Sequence, residues 1–175
     1  MAKYNIYTDG SSRGNPGPGG WGMVVMNKEG DQIFFMEYDS EDGVTNNRME
    51  LKAMICALGY AASHPCDQFI IYSDSAYVVN SCNSWMPGWA ANGWKNSKKQ
   101  TVENVDLMQA IWDYLSREFF NADIRKCAGH AGEIGNEIAD ALATGGMRKY
   151  QELIDYWGIE TPSLDQAGDN WFPID

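Results

Sequence analysis

Apolar and polar positions alternate along the first forty residues, and the period then changes. "KYNIYTD" (residues 3–9), "GWGMVVMN" (20–27) and "QIFFMEY" (32–38) are rich in β-branched and aromatic residues. The turn "KEGD" joins the last two, so the pattern predicts three short strands connected antiparallel. After the polar stretch "DSEDGVT", Leu51, Met54, Ile55 and Leu58 fall at i, i+3, i+4 and i+7, which predicts a helix capped by Thr45 or Asn46. "QFIIYSD" (68–74) has the continuous apolar character of a buried strand, and "SAYVVNSC" that of a short helix. Residues 85–99 show no period. Val105, Met108, Trp112, Leu115 and Phe119 form a second helical stripe. "ADIRKCA" reads as a fifth strand, and "EIGNEIADALATG" as a helix stopped by Gly145 and Gly146. Strands first, then alternation with helices, predict an α/β fold: a five-stranded mixed sheet, three antiparallel strands followed by parallel ones, flanked by helices.

The glycine-rich stretch "TDGSSRGNPGPGGWG" (8–22) interrupts this pattern, and Gly17, Gly19 and Gly22 within it spell GxGxxG. A dinucleotide fingerprint needs a helix immediately afterwards, because the helix N-terminus holds the pyrophosphate. Gly22 leads instead into the strand-like "MVVMN", so a nucleotide cofactor is disfavoured.

Composition narrows the class. At 175 residues and 44% hydrophobic content the chain suits one folded domain. No run approaches the length of a membrane span, and the start lacks the basic-then-apolar pattern of a signal peptide. Cys56, Cys66, Cys82 and Cys127 are scattered without a CxxC pair, which disfavours zinc and a disulfide framework. The expectation is a reduced, cytoplasmic, monomeric protein with no membrane partner. A net charge of −11 argues against nucleic acid, but the charge is segregated. Six acids and no base lie in residues 151–175, whereas residues 75–102 hold Lys95, Lys98 and Lys99 and no acid.

Four acids stand where chemistry could use them. Asp9 and Asp74 end apolar strands, Glu50 lies one turn into its helix, and Asp140 flanks the apolar face marked by Ile134 and Ile138. Each alone reads as a turn, cap or first-turn acid. Gathered at one end of the sheet, they would repel one another by several kcal/mol, on the order of 4 kcal/mol for a pair about 4 Å apart, unless protonated or bound to cations. Oxygen ligands without histidine or cysteine favour Mg²⁺ or Mn²⁺, and two such ions suit in-line displacement at phosphorus.

"YTDGSSRGNPGPGGWG", "TNNRMELKAM", "YSDSAYVVN", "WMPGWAANGWK" and "GHAGEIGNEIADALA" resemble, in order and spacing, the signature segments of type 1 ribonuclease H. The resemblance covers about residues 3–146 and implies a catalytic domain at 1–147 with a C-terminal extension at 148–175. It implies hydrolysis of the RNA strand of RNA–DNA hybrids by two Mg²⁺ ions, Mn²⁺ being a substitute, leaving 5′-phosphate and 3′-hydroxyl ends. Asp9, Glu50, Asp74 and Asp140 would be both catalytic residues and metal ligands, with His130 in "GHAG" an auxiliary catalytic residue. Asn136 would either orient Asp140 or be a surface amide. Gly10, Ser11, Ser12 and Asn15 would line the minor groove, where glycines let the backbone approach the substrate and 2′-hydroxyls mark RNA.

The same resemblance makes Asn46 and Asn47 contacts to the two strands, and Thr45 and Asn104 holders of a DNA phosphate. Gly43 stands where some relatives place an arginine in that pocket. Trp85, Trp89, Trp94, Lys95, Lys98 and Lys99 would form the family's basic protrusion against the DNA strand. Ala90 and Ala91 occupy positions basic in many relatives, which predicts weaker and less salt-sensitive binding. In the extension, Leu153, Tyr156 and Trp157 are expected to pack back on the body. Its acidic end, with Trp171, Phe172 and Pro173, is expected to serve as a strap or as a docking peptide for a protein partner. Two other readings remain open, another polynucleotidyl transferase and a non-catalytic hybrid-binding protein.

Overall fold

The structure is a computed structural model and describes residues 1–127 and 133–161. β1 (Lys3–Ser12), β2 (Gly17–Met26), β3 (Ile33–Val44), β4 (Gln68–Ser73) and β5 (Ala122–Lys126) form one sheet in the order β3-β2-β1-β4-β5. β1, β2 and β3 pair antiparallel, while β4 and β5 add in parallel on the other side of β1. The expected mixed sheet is therefore present. Parallel pairing needs crossovers, which α1 (Asn46–Ala62) and α4 (Val105–Leu115) supply.

Period-2 alternation splits the sheet's side chains between two cores. Met23 and Val25 join Leu51, Met54, Leu58, Met108 and Ile111 beneath α1 and α4. Val24 and Met26 join Ile138, Leu142, Tyr150 and Ile154 beneath α5 (Ile134–Trp157) on the opposite face. α1 begins as its sequence indicates: the Thr45 hydroxyl accepts the Arg48 N–H at 3.2 Å. At its other end His64 stacks on Tyr60 with ring centroids 4.1 Å apart. Among the described residues no disulfide joins the cysteines, and half-buried Cys56 donates to Glu37 at 2.6 Å.

Three segments depart from expectation. The first half of the aperiodic stretch 85–99 is helical: α2 (Ala76–Asn80) runs through a π turn (Ser81–Trp85) into α3 (Met86–Ala91). Pro87 has no N–H for the ladder, and the preceding Met86 N–H reaches five residues back to the Ser81 carbonyl. Phe119, counted in the α4 stripe, lies beyond the helix end and is 84% exposed, while Ile111 takes the core position. Gly146 does interrupt α5, adopting φ 59° and ψ −145°, but a helix resumes and runs to Trp157. In that second half Tyr150 and Ile154 are buried and Leu153 packs beside them, whereas Tyr156 and Trp157 are exposed.

Beyond Gly158 the chain turns onto the edge of β3. Ile159 is buried, the Ile33 N–H donates to the Glu160 carbonyl at 2.7 Å, and the Glu160 N–H donates to the Asp31 carbonyl at 2.9 Å. Residues 148–161 thus close the second core and pair with the start of the edge strand. Among the described residues, no helix is long and apolar enough to cross a membrane.

Candidate active site

β1 and β4 run parallel side by side, so their carboxyl ends deliver Asp9 and Asp74 to the same edge of the sheet. α1 lies across that edge. Gly10 is where helix and strand meet, since a Cβ there would overlap the backbone of Met49 and Glu50. That contact seats Glu50 beside Asp9. One carboxylate oxygen from each of Asp9, Glu50 and Asp74 lies within 4.8 Å of the others. Asp9 and Glu50 are buried, and Asp74 is half-buried.

Asp140, in the first half of α5, is more exposed and stands on the open side of this triangle. It lies near enough that it raises Asp9, and its charge acts on both Asp9 and Asp74. All four acids thus reach one place, three tightly and the fourth at the rim.

Electrostatics sets the state of this cluster. Burial is the main cause that pushes Asp9 and Glu50 above the usual carboxylate range. The Asp74 and Asp140 charges raise Asp9 further, and Asp9 and Asp74 raise Glu50. Hydrogen bonding between the two lowers Asp9 and raises Glu50. Burial also raises Asp74, with Asp140 adding to the rise and Lys126 at the end of β5 opposing it. The second oxygen of Glu50, Oε2, is buried without a hydrogen-bond partner. An orphaned carboxylate oxygen in an all-oxygen cluster fits a hard divalent cation, which would displace protons and satisfy the lone pairs.

The expected substrate contacts surround this edge. Asn46 Oδ1 accepts from the Ser12 N–H at 2.6 Å and from its hydroxyl at 3.1 Å, and the Asn46 N–H donates to Asn15 at 3.1 Å. Ser12, Asn15 and Asn46 are therefore knit into one rim between the β1–β2 turn and α1, with Gly10 packed beneath α1, Asn47 exposed beside Asn46, and Ser11 facing the α5 side of the sheet. Three glycines of this stretch serve helix packing: Gly20 and Gly22 press on α5 at Ala143 and Leu142, as Gly10 does on α1.

Trp85, Trp89 and Trp94 form a chain with centroids 5.8 and 6.5 Å apart. Trp85 is exposed, while Trp89 and Trp94 lean on the first core, so they support both a structural and a surface role. Lys95, Lys98 and Lys99 are exposed beyond them. Trp94, Lys99 and Asn104 all have positive φ, a strained set held by the tight Asn96–Lys99 turn and the pairing of Lys95 with Thr101.

Asn104 lies across from Thr45 in a network that sequence reasoning missed. Arg48 donates to Asn104 at 3.3 Å and grips Asp106 with two bonds at 3.0 and 2.8 Å, while Asn104 donates to the Tyr77 hydroxyl at 3.1 Å. The Arg48 guanidinium holds Asp106 well below the usual carboxylate range, at about 2. Only the basic residue inside "TNNRME" hinted at this. Asn136 is buried and accepts from Cys127 at 3.4 Å, so it ties the start of α5 to the end of β5 and is not a surface amide. His130 lies outside the described residues, as does the tail beyond residue 161.

A family model described as RNase H matches residues 1–148. A ribonuclease H of Albidiferax ferrireducens is 44% identical over 147 residues, covering 84% of this chain and 95% of the relative. Among solved structures, LC9-RNase H1, described as a type 1 RNase H with the type 2 active-site motif, superposes with a TM-score of 0.70 at 26% identity, covering 100% of this chain and 93% of that one. The foamy viral protease-reverse transcriptase in complex with RNA/DNA hybrid matches with a TM-score of 0.70 at 27% identity, over 85% of this chain and 20% of its own.

Proposed function

This chain belongs to the ribonuclease H family, and from that premise we propose that it cuts the RNA strand of RNA–DNA hybrids at the Asp9–Glu50–Asp74 cluster, using two Mg²⁺ ions and leaving 5′-phosphate and 3′-hydroxyl ends. The observation that carries the reading is the buried cluster itself, with its unpaired Glu50 oxygen. A family fold needs no such arrangement for stability, since buried like charges only cost.

In this reading Asp9 is the central ligand, flanked by Glu50 on one side and by Asp74 and Asp140 on the other. When bound, divalent cations supply the Lewis acidity that activates a water nucleophile and neutralises the leaving 3′-oxygen. Mn²⁺ has the same ligand preference and would substitute. Asp140, nearer to solvent, is suited to a ligand that loosens as product leaves. His130 is assigned an auxiliary proton-transfer role. The Ser12–Asn15–Asn46 rim orients the RNA strand, Thr45 and Asn104 receive a DNA phosphate, and the Trp85–Lys99 protrusion tracks the DNA strand. The catalytic unit is residues 1–147, with residues 148–175 an extension whose described part braces it.

The test is a labelled RNA–DNA hybrid beside duplex RNA and duplex DNA, each with and without Mg²⁺. Metal-dependent cuts confined to the RNA strand of the hybrid are expected. Cleavage of duplex DNA, or binding without cleavage, would overturn the reading.

A further inference from the structure

On the α5 side of the sheet, a cleft of about 640 Å³ opens between the β1–β2 turn and the break in α5. Strand alternation places it. Asp9 and Ser11 pair with Gly22 and Gly20, and those glycines face Leu142 and Ala143 of α5. Asp9 and Ser11 therefore point to the same face, and the cleft begins at Ser11, about 7 Å further along the strand. That is on the order of the spacing of neighbouring phosphates in one nucleic-acid strand. From the helix side, Thr144 lines the cleft one turn, about 6 Å, beyond Asp140.

Two cations line this cleft, Arg13 from the β1–β2 turn and Lys149 from the second half of α5. Lys149 is held in place. Its stem lies against Gly145, where a Cβ would overlap it, and its ammonium donates to the Thr144 hydroxyl at 3.2 Å. The Thr144 hydroxyl in turn donates to the Asp140 carbonyl at 2.8 Å. The break at Gly146 sets this geometry, because its φ of 59° redirects the chain carrying Lys149. One acid, Asp39, also lines the cleft, and its carboxylate already accepts the Ser40 N–H at 2.8 Å.

Resting on the function proposed above, we propose that this cleft holds a phosphate of the RNA strand, one or two nucleotides from the bond that is cut, with Arg13 and Lys149 as its cationic contacts. The RNA strand is favoured because the cleft continues the face that carries Asp9 and Asp140. The DNA strand would lie across the groove, toward the tryptophans and Lys95.

The experiment uses the full chain and short hybrids whose RNA strand keeps its 2′-hydroxyls in a window around one scored linkage and is 2′-O-methylated only outside that window. A single neutral methylphosphonate is walked along either strand. For the unaltered protein, one RNA position one or two nucleotides from the cut is expected to raise KM about five- to tenfold at low salt. The double variant Arg13→Ala, Lys149→Ala is expected to raise KM by a similar factor on the unmodified hybrid. Its kcat and melting temperature stay unchanged, and its log-affinity against log-salt slope is shallower by about 1 to 2. At the sensitive position the neutral linkage then costs the variant nothing more, which is the signature of coupling. Gly145→Ala, which displaces Lys149 without removing charge, is expected to give part of the same loss. Independent, additive losses, or coupling seen only with DNA-strand modifications, overturn the assignment while leaving the proposed activity intact. Failure of the unaltered protein to cut any hybrid overturns the activity and this inference together.

Discussion

At one end of the sheet Asp9, Glu50 and Asp74 are drawn together with a buried Glu50 oxygen left unpaired, whereas at the other end Glu160 exchanges backbone hydrogen bonds with Asp31 and Ile33 beside the core that holds Ile154 and Ile159. The first region holds groups that oppose folding, and the second holds only groups that favour it. A cluster that repels itself can persist because the rest of the chain, including the second half of α5, holds its strands in register. The difference separates residues kept for chemistry from residues kept for stability, and it can be pressed experimentally from both sides.

The largest effect is expected from Asp9→Asn. Hybrid cleavage should fall on the order of 1,000-fold or more, while the melting temperature without metal rises, because one source of repulsion is gone. Activity and stability falling together would show Asp9 to be a structural residue. The reverse pattern is expected from Ile154→Ala, which empties a buried site in the second core: a loss of about 2–4 kcal/mol by denaturant titration, with kcat at 25 °C within about twofold.

Removing residues 159–175 takes away buried Ile159 and the two backbone bonds to Asp31 and Ile33, so a loss of about 2–3 kcal/mol is expected. An unchanged melting temperature would mean that the strap does no bracing.

A smaller, diagnostic effect concerns pH. Asp9, Glu50 and Asp74 are all raised in the folded state, so the native chain binds protons that the unfolded chain has released. Without metal, stability should therefore be greatest near pH 4 and decline as pH rises through the elevated range, by a few degrees in melting temperature. Mg²⁺ should flatten that decline. Asp106 contributes with the opposite sign, its share being lost as pH falls from about 4 toward about 2, below this window. Asp106 is itself largely exposed, and solvent screening keeps that share small.

Much of this was legible in the sequence because the signals are local. Alternation in β1 to β3, the Thr45 cap and the stripe of α1 each depend on near neighbours. The four acids were legible because each ends an element or flanks its apolar face; parallel pairing of β1 and β4 then delivers Asp9 and Asp74 to one edge, where α1 and α5 bring Glu50 and Asp140. The hidden parts depend on distant contacts. Gly145 and Gly146 signal a helix stop, yet Tyr150 and Ile154 resume the apolar spacing and find a core face waiting on β2 and β3. Helical structure through Pro87 is invisible to periodicity, because a π turn resets the count. The crowding at Gly10, Gly20 and Gly22 could not be read either, since the groups pressing on each lie far away in the chain.

The contact at Gly10 has a mechanical consequence. Main chain rests on main chain there, so no side-chain rotamer intervenes in the gauge between the two deepest carboxylates. Exchanges among Leu51, Met54 and their neighbours should therefore shift the melting point while cation affinity holds steady. A replacement of Gly10 by alanine would wedge the two elements apart and spoil that affinity directly.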